Sequence, residues 1–291
     1  MIPQSLTGKS CCKEESAVKI AFIDYYLDEW HANNYPKWIR EASNGEMEVT
    51  LAYGMIDSPI GGRSTEQWCR DMCIPRARTI EEAVAGADGI IVLSPDNCEM
   101  HEELSQIPLR SGKPTYIDKT FAPDYPTAKR IFDLAEANGT PCYSTSALRY
   151  ADEYQGLGEA DSIASWGPNG FETYSIHQLE PIMMLIKAAP KRVMALSGAD
   201  WYQMTIEFAD GRAAVMTGYA KGGNFMMNLT GPEGQKVINV ASDFFHGFIV
   251  QLVNFFRDPT RIVPHEDTLR IMAVRGAGVE ALKKPGEWVN I

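Results

Sequence analysis

Residues 89–120 read GIIVLSPDNCEMHEELSQIPLRSGKPTYIDKT. Two short apolar runs, residues 89–93 and 115–117, flank one segment of helical pattern. That is the spacing of a strand–helix–strand unit in a buried parallel sheet. Each run ends in polar residues: Ser94-Pro95-Asp96-Asn97 after the first, Asp118-Lys119-Thr120 after the second. In an open parallel sheet the C-terminal strand ends border the ligand crevice. A lysine there is placed to meet a ligand.

The alternation continues outward from this unit. Residues 18–23 (VKIAFI) read as a first buried strand, followed by a helical pattern through Trp38, Ile39 and Ala42 that Gly45 is placed to end. Residues 48–53 (EVTLAY) form a second strand, and residues 57–63 (DSPIGGR) a loop by their Pro and Gly content. Short helices are expected over residues 65–72 and 80–85, the second opened by Thr79 with Glu82 in capping-box position. Residues 125–138 are an amphipathic helix stopped by Gly139, and residues 141–144 a further strand. This pattern predicts a Rossmann-like, doubly wound parallel sheet over residues 18–148.

Past residues 147–154 the character changes. Residues 159–166 read as a strand and 174–188 as a helix closed by Pro190. Strands follow at 192–198, 202–208, 213–219, 224–230 and 236–240, joined by turn-like Asp210-Gly211, Lys221-Gly222-Gly223 and Gly231-Pro232-Glu233-Gly234. That is the signature of an antiparallel meander. Helices at 244–256 and 268–282 close the chain. Residues 149–291 thus predict an α+β domain with an open, mostly antiparallel sheet, and residues 1–17 a flexible arm. An open sheet with few helices to cover it needs a partner, so a homo-oligomer through the C-terminal sheet is expected.

The 291 residues leave room for about two domains, and 45% hydrophobic content supports real cores. A net charge of −11 argues against nucleic acid or an anionic membrane surface as partner. No apolar run approaches the roughly 18 residues of a membrane helix, and the first residues carry no signal-peptide core. The cysteines, Cys11, Cys12, Cys69, Cys73, Cys98 and Cys142, show no disulfide framework. Cys69 and Cys73 lie four apart on a helix but have no histidine close in sequence, so no metal site is expected. Reduced thiols and a cytoplasmic location are the expectation.

An α/β domain followed by such a sheet, joined near residues 146–150, resembles the Gfo/Idh/MocA family of oxidoreductases, the glucose–fructose oxidoreductase and inositol dehydrogenase relatives. Residues 89–101 (GIIVLSPDNCEMH) look like that family's strand, polar turn and helix-borne histidine. Residues 112–120 (GKPTYIDKT) look like its strand entering a Glu-Lys-Pro motif, with Asp118 for Glu and Thr120 for Pro. Residues 145–150 (TSALRY) resemble the segment that crosses between domains. Residues 175–180 (SIHQLE) resemble the helix that brings a histidine to the active site. The resemblance implies that Lys119 polarises the reacting oxygen and that His177 acts as acid/base, the two catalytic candidates. Glu180, Arg149 and Tyr150 are candidates for substrate binding, with an interdomain salt bridge as the equal reading of Arg149. Ser94, Pro95, Asn97, His101 and Asp118 would border the cofactor. The family often places an Asp four residues before the active-site histidine; here that position is Thr173, beside Glu172.

The resemblance breaks down between residues 24 and 31. A dinucleotide fold puts a glycine-rich loop there, so that backbone N–H groups and a helix N-terminus meet the pyrophosphate. This chain has no glycine between Ile23 and Gly45, and Asp24, Asp28 and Glu29 would repel a diphosphate. Asp24 and Tyr25 remain candidates for the cofactor's edge. Trp30 and His31 could instead line a sugar pocket, since aromatic faces stack on sugars. The expectation is an NAD- or NADP-dependent oxidoreductase acting on a sugar, polyol or related carbonyl compound. Its alternative has no dinucleotide: a sugar-binding or regulatory protein, or a non-redox lyase or epimerase using the same Lys and His. In either case the partner is a small, carbohydrate-like molecule.

Overall fold

The computed structural model describes residues 17–291; residues 1–16, most of the expected N-terminal arm, lie outside the described residues. The first half builds a five-stranded, fully parallel sheet from β1 (Val18–Asp24), β2 (Met47–Gly54), β3 (Gly89–Val92), β4 (Thr115–Ile117) and β5 (Cys142–Tyr143), in the order β2-β1-β3-β4-β5. The order reverses between β1 and β3. That switch point is where an open α/β sheet leaves a crevice at its C-terminal strand ends.

Side-chain alternation divides the sheet into two apolar faces. Ala21, Ile23, Ile90, Val92 and Ile117 face α3 (Ile80–Ala85), α4 (His101–Arg110) and α5 (Tyr125–Ala137). Ile20, Phe22, Ile91, Leu93, Tyr116 and Tyr143 face α1 (Trp30–Ala42), α2 (Thr65–Met72) and a helix from far along the chain, α7 (Phe244–Arg257). Phe248, Leu252 and Phe255 of α7 are fully buried on this face, each worth about 1.5–3 kcal/mol in burial. Gly89 lets the helix come close: a Cβ there would meet Phe256 Cδ1 at 2.5 Å.

The helix starts follow local chemistry. Thr79 caps α3 by accepting from Glu82 N at 3.2 Å, while Glu82 Oε2 takes the N–H of Arg78. α1 ends at Ser43 rather than at Gly45, and the two residues after this cap, Asn44 and Gly45, both take the left-handed region, at φ 53° and 82°.

The second half is a seven-stranded sheet of β6 (Ser162–Pro168), β7 (Pro190–Ser197), β8 (Trp201–Phe208), β9 (Ala213–Tyr219), β10 (Met226–Gly231), β11 (Gly234–Asn239) and β12 (Trp288–Asn290). Its order, β11-β10-β6-β9-β8-β7-β12, departs from a simple meander. β6 lies between β9 and β10, parallel to β9 and antiparallel to β10. The segment containing Gly222 and Gly223, at φ 99° and 133°, carries the chain past the β6 end. β12 is a short edge strand that the helical end of the sequence conceals. Pro190 opens β7 rather than closing the preceding helix, α6 (Phe171–Leu185). α6 and α8 (His265–Leu282) pack on one face of this sheet. The other face carries Leu196, Trp201, Tyr219 and Met226, all exposed. Among the described residues no helix is long and apolar enough to cross a membrane.

Candidate active site

The two halves meet along the C-terminal ends of β1, β3 and β4. There a cleft of about 320 Å³ is lined by Glu29, Trp30, His31, Pro95, Asp96, Lys119, Thr173, Tyr174, His177 and Phe245. This is the small end of the range for small-molecule sites. Lys119 comes from the loop after β4, His177 from α6. Residues 58 positions apart in different sheets' layers thus share one wall.

Lys119 is partly buried, and its Nζ donates to the Pro95 carbonyl at 3.4 Å, leaving two ammonium hydrogens for a ligand. The peptide joining it to Thr120 is cis. His177 Nδ1 lies 2.7 Å from Ser146 Oγ, which also accepts from Leu148 N. Burial, then the charges of Lys119 and His31, push the His177 imidazole down to about 3, so the ring is neutral at neutral pH. Neither Glu172 nor Glu180 is its partner; Ser146 is.

Asp118, immediately before Lys119, is buried and faces His31: the ring's Nδ1 donates to Asp118 Oδ2. Tyr116 Oη and Lys119 N donate to the other oxygen at 3.2 and 2.8 Å. Burial pushes this carboxyl up, but His31, Lys119 and the Lys119 N–H outweigh it and hold it below the ordinary carboxylate range. The His31 ring is stacked on Tyr35, centroids 4.9 Å apart. Trp30, Phe245 and Tyr174 give the cleft an aromatic wall, with Trp30 and Phe245 centroids 4.8 Å apart.

Several candidates stand elsewhere. Arg149 and Glu180 form a buried clamp between the halves instead of lining the cleft. Arg149 reaches Glu180 Oε1 and Asp267 Oδ2, each at 2.6 Å, and Glu180 also accepts from Thr145 Oγ1 and Ser146 N. Tyr150 packs against Phe248 of α7. His101 is fully buried between the carbonyls of Leu93 and Phe121, at 2.6 and 3.0 Å, tying the β3 end to the segment after β4. Asn97 sits in the turn after β3 and bonds Glu99. Ser94, at φ 80°, bridges strand ends by accepting from Tyr25 N and donating to Asp24 Oδ1. Sequence reasoning missed Phe245 altogether, because nothing local links it to the first sheet. It also placed His31 and Asp118 in separate roles.

The β1–α1 turn tests the fit of a dinucleotide. The glycine spacing G-x-G-x-x-G at this point of a Rossmann unit falls on Asp24, Tyr26 and Glu29. All three side chains are buried. Glu29 caps α1, its carboxylate taking the N–H groups of His31, at 2.6 Å, and Ala32. These are the donors that a pyrophosphate would need. Burial pushes both Asp24 and Glu29 up from the usual carboxylate range. Asp28 is spent differently, paired with Arg63 at 2.7 Å to hold the 57–63 loop. A pyrophosphate in the usual position does not fit these residues. Among the described residues no cluster of three or more His, Cys, Asp or Glu is arranged to hold a metal.

No family model and no curated protein matches the chain. Its fold, however, is shared with solved structures over nearly its whole length. GenD2 from gentamicin A biosynthesis, in complex with NAD, aligns with a TM-score of 0.77 at 14% identity, covering 100% of this chain and 99% of that one. Myo-inositol dehydrogenase from Lactobacillus casei, in complex with NAD(H) and myo-inositol, aligns at 0.76 and 13% identity, covering 94% and 97%. Myo-inositol 2-dehydrogenase from Lactobacillus plantarum aligns at 0.76 and 13%, covering 95% and 100%. The Rossmann-like sheet with its second, mostly antiparallel sheet is therefore the fold of the Gfo/Idh/MocA oxidoreductases.

Proposed function

We propose that the chain is an enzyme whose interdomain cleft takes a small polyhydroxylated compound of the sugar or polyol class. The observation that carries this reading is the meeting of Lys119 and His177, from different layers, on one small cleft with an aromatic wall. Lys119 supplies a cation for an oxygen that gains negative charge during reaction. His177, neutral and held by Ser146, hydrogen-bonds a substrate hydroxyl. Trp30 and Phe245 offer faces on which a sugar ring stacks. The open face of the second sheet, with Leu196 and Trp201, is where two copies would meet.

Two versions of the chemistry remain, each with its own support. Hydride transfer with NAD or NADP is favoured by the fold shared with NAD-bound GenD2 and with an inositol dehydrogenase bound to NAD(H). A non-redox reaction is favoured by Glu29, which occupies the α1 donors that a pyrophosphate would use. The local observation concerns this chain's own residues, and the non-redox version is the one we adopt.

Titration with NADH and NADPH, followed by nicotinamide fluorescence, separates the two. The adopted version expects no saturation at 1 mM of either; a micromolar Kd would restore the redox version. Saturation-transfer NMR with inositols and ketoses tests the cleft itself. Binding is expected, and Lys119→Ala should weaken it at least tenfold; unchanged binding in that variant would remove Lys119 from the site.

A further inference from the structure

The cleft holds a second polar unit that the resemblance did not assign. We propose that His31 is the general base of this site, oriented by Asp118, and that it removes a proton from carbon next to the carbonyl of a bound hydroxyketone. This proposal rests on the non-redox reading above and deepens it.

Three observations carry it. The His31 ring is fixed twice, by its Nδ1 bond to Asp118 Oδ2 and by stacking on Tyr35. Asp118 is itself fixed, its other oxygen taking Tyr116 Oη and Lys119 N. The remaining ring nitrogen, Nε2, makes no hydrogen bond among the described residues and is not sealed from solvent, while His31 belongs to the cleft lining. A histidine whose Nδ1–H is held by a carboxylate presents its Nε2 lone pair outward, and the carboxylate stabilises the imidazolium that forms. Lys119 follows Asp118 in the chain, so the cation and the base are positioned by one strand end.

The step balances without a redox partner. His31 Nε2 forms an N–H bond as the C–H bond breaks. The C–H electron pair becomes the carbon–carbon double bond of an enediolate, and the carbonyl π pair moves to oxygen beside the Lys119 ammonium. A proton delivered to that carbon from the opposite face gives the epimer; return to the former carbonyl carbon, with the enediolate's hydroxyl proton passing to the oxygen beside Lys119, gives the isomeric aldehyde or ketone. The outcome is epimerisation or isomerisation. Charged and titratable groups around His31 are Asp118 and Lys119 after β4, Glu29 and Tyr35 around α1, Asp96 after β3, and Tyr174 and His177 on α6; from α7 the cleft lining takes Phe245.

The test uses the full chain in D2O with D-fructose and 2-keto-myo-inositol as probes. Proton NMR follows loss of the C–H signal beside the carbonyl, and saturation transfer reports binding in the same samples. Wild-type protein should exchange at least one probe above background. His31→Gln should cut that rate at least 100-fold while binding persists. Asp118→Asn, a positioning variant, should move the acid limb of the rate–pH profile to lower pH as well as slow the rate. A shift in that limb is something a merely structural loss would not produce, and it keeps the proposal testable if His31→Gln fails to fold. Binding of a ketone with no exchange, or full exchange in His31→Gln, overturns His31 as base and leaves the cleft reading standing. Absence of binding by both ketones removes the cleft reading and this proposal with it.

Discussion

At the scale of single residues, the cleft is organised by carboxyls pushed in opposite directions. Asp24 and Glu29 are driven up by burial, whereas Asp118 is held down by His31 and Lys119. His177 adds a pH dependence of stability. With its folded value lowered to about 3, the native ring stays neutral while the unfolded ring takes a proton below its ordinary value of ~6.5. The unfolded state therefore binds more protons between those limits, and stability falls as pH drops from ~6.5 towards 3. Because the ring is open to the cleft, roughly 1 kcal/mol per pH unit is a fair upper figure. Urea unfolding at pH 7 and pH 5 should show that loss in wild type and a clearly smaller one in His177→Gln. Identical pH slopes in the two proteins would mean that His177 is not the group responsible.

At the scale of elements, Arg149 joins the interdomain crossing to α6 and α8 through Glu180 and Asp267. Arg270 adds a second cation on Asp267 at 2.8 Å. Asp267 keeps Arg270, but Glu180 has no other cation among the described residues, so Arg149→Met leaves a buried carboxylate uncompensated and should cost about 3–5 kcal/mol in urea unfolding. A loss below about 1 kcal/mol would show the carboxylates to be satisfied without it. Arg149→Lys should recover only part, because one ammonium cannot copy two forked contacts. The elements themselves were largely legible. Short, nearly continuous apolar runs located β1 to β4, and Thr79 with Glu82 located the start of α3. What local pattern could not show was order in space. Nothing in residues 159–166 says that β6 will slip between β9 and β10, since that depends on where the chain returns after α6. His31 and Asp118 were each visible as polar residues at strand-end loops. Their pairing spans 87 positions and is a property of the packed sheet.

At the scale of the molecule, the second sheet leaves one face uncovered. Leu196 is 42% exposed, Trp201 43% and Tyr219 45%, on adjacent strands of a seven-stranded sheet. This cluster of outward apolar side chains is where a second copy is expected to dock. Light scattering should give a multiple of the 32.3 kDa chain mass, and the double change Leu196→Glu with Trp201→Asp should return it to one. A wild-type monomer at micromolar concentration would discard the interface.

The helix α7 has a consequence for how the protein is made. Its aromatic side covers one face of the first sheet and supplies Phe245 to the cleft, yet it lies beyond six of the seven strands of the second sheet. As the chain emerges from the ribosome, β1 to β5 are present well before that cover arrives. Ile20, Phe22, Ile91, Tyr116 and Tyr143 must wait with one side bare, in the company of α1 and α2 alone. Vectorial, half-by-half folding is therefore ill suited to this chain. The late helix acts as a fastener: that face of the nascent first half stays open until α7 has been translated, and only then is the aromatic wall of the cleft complete.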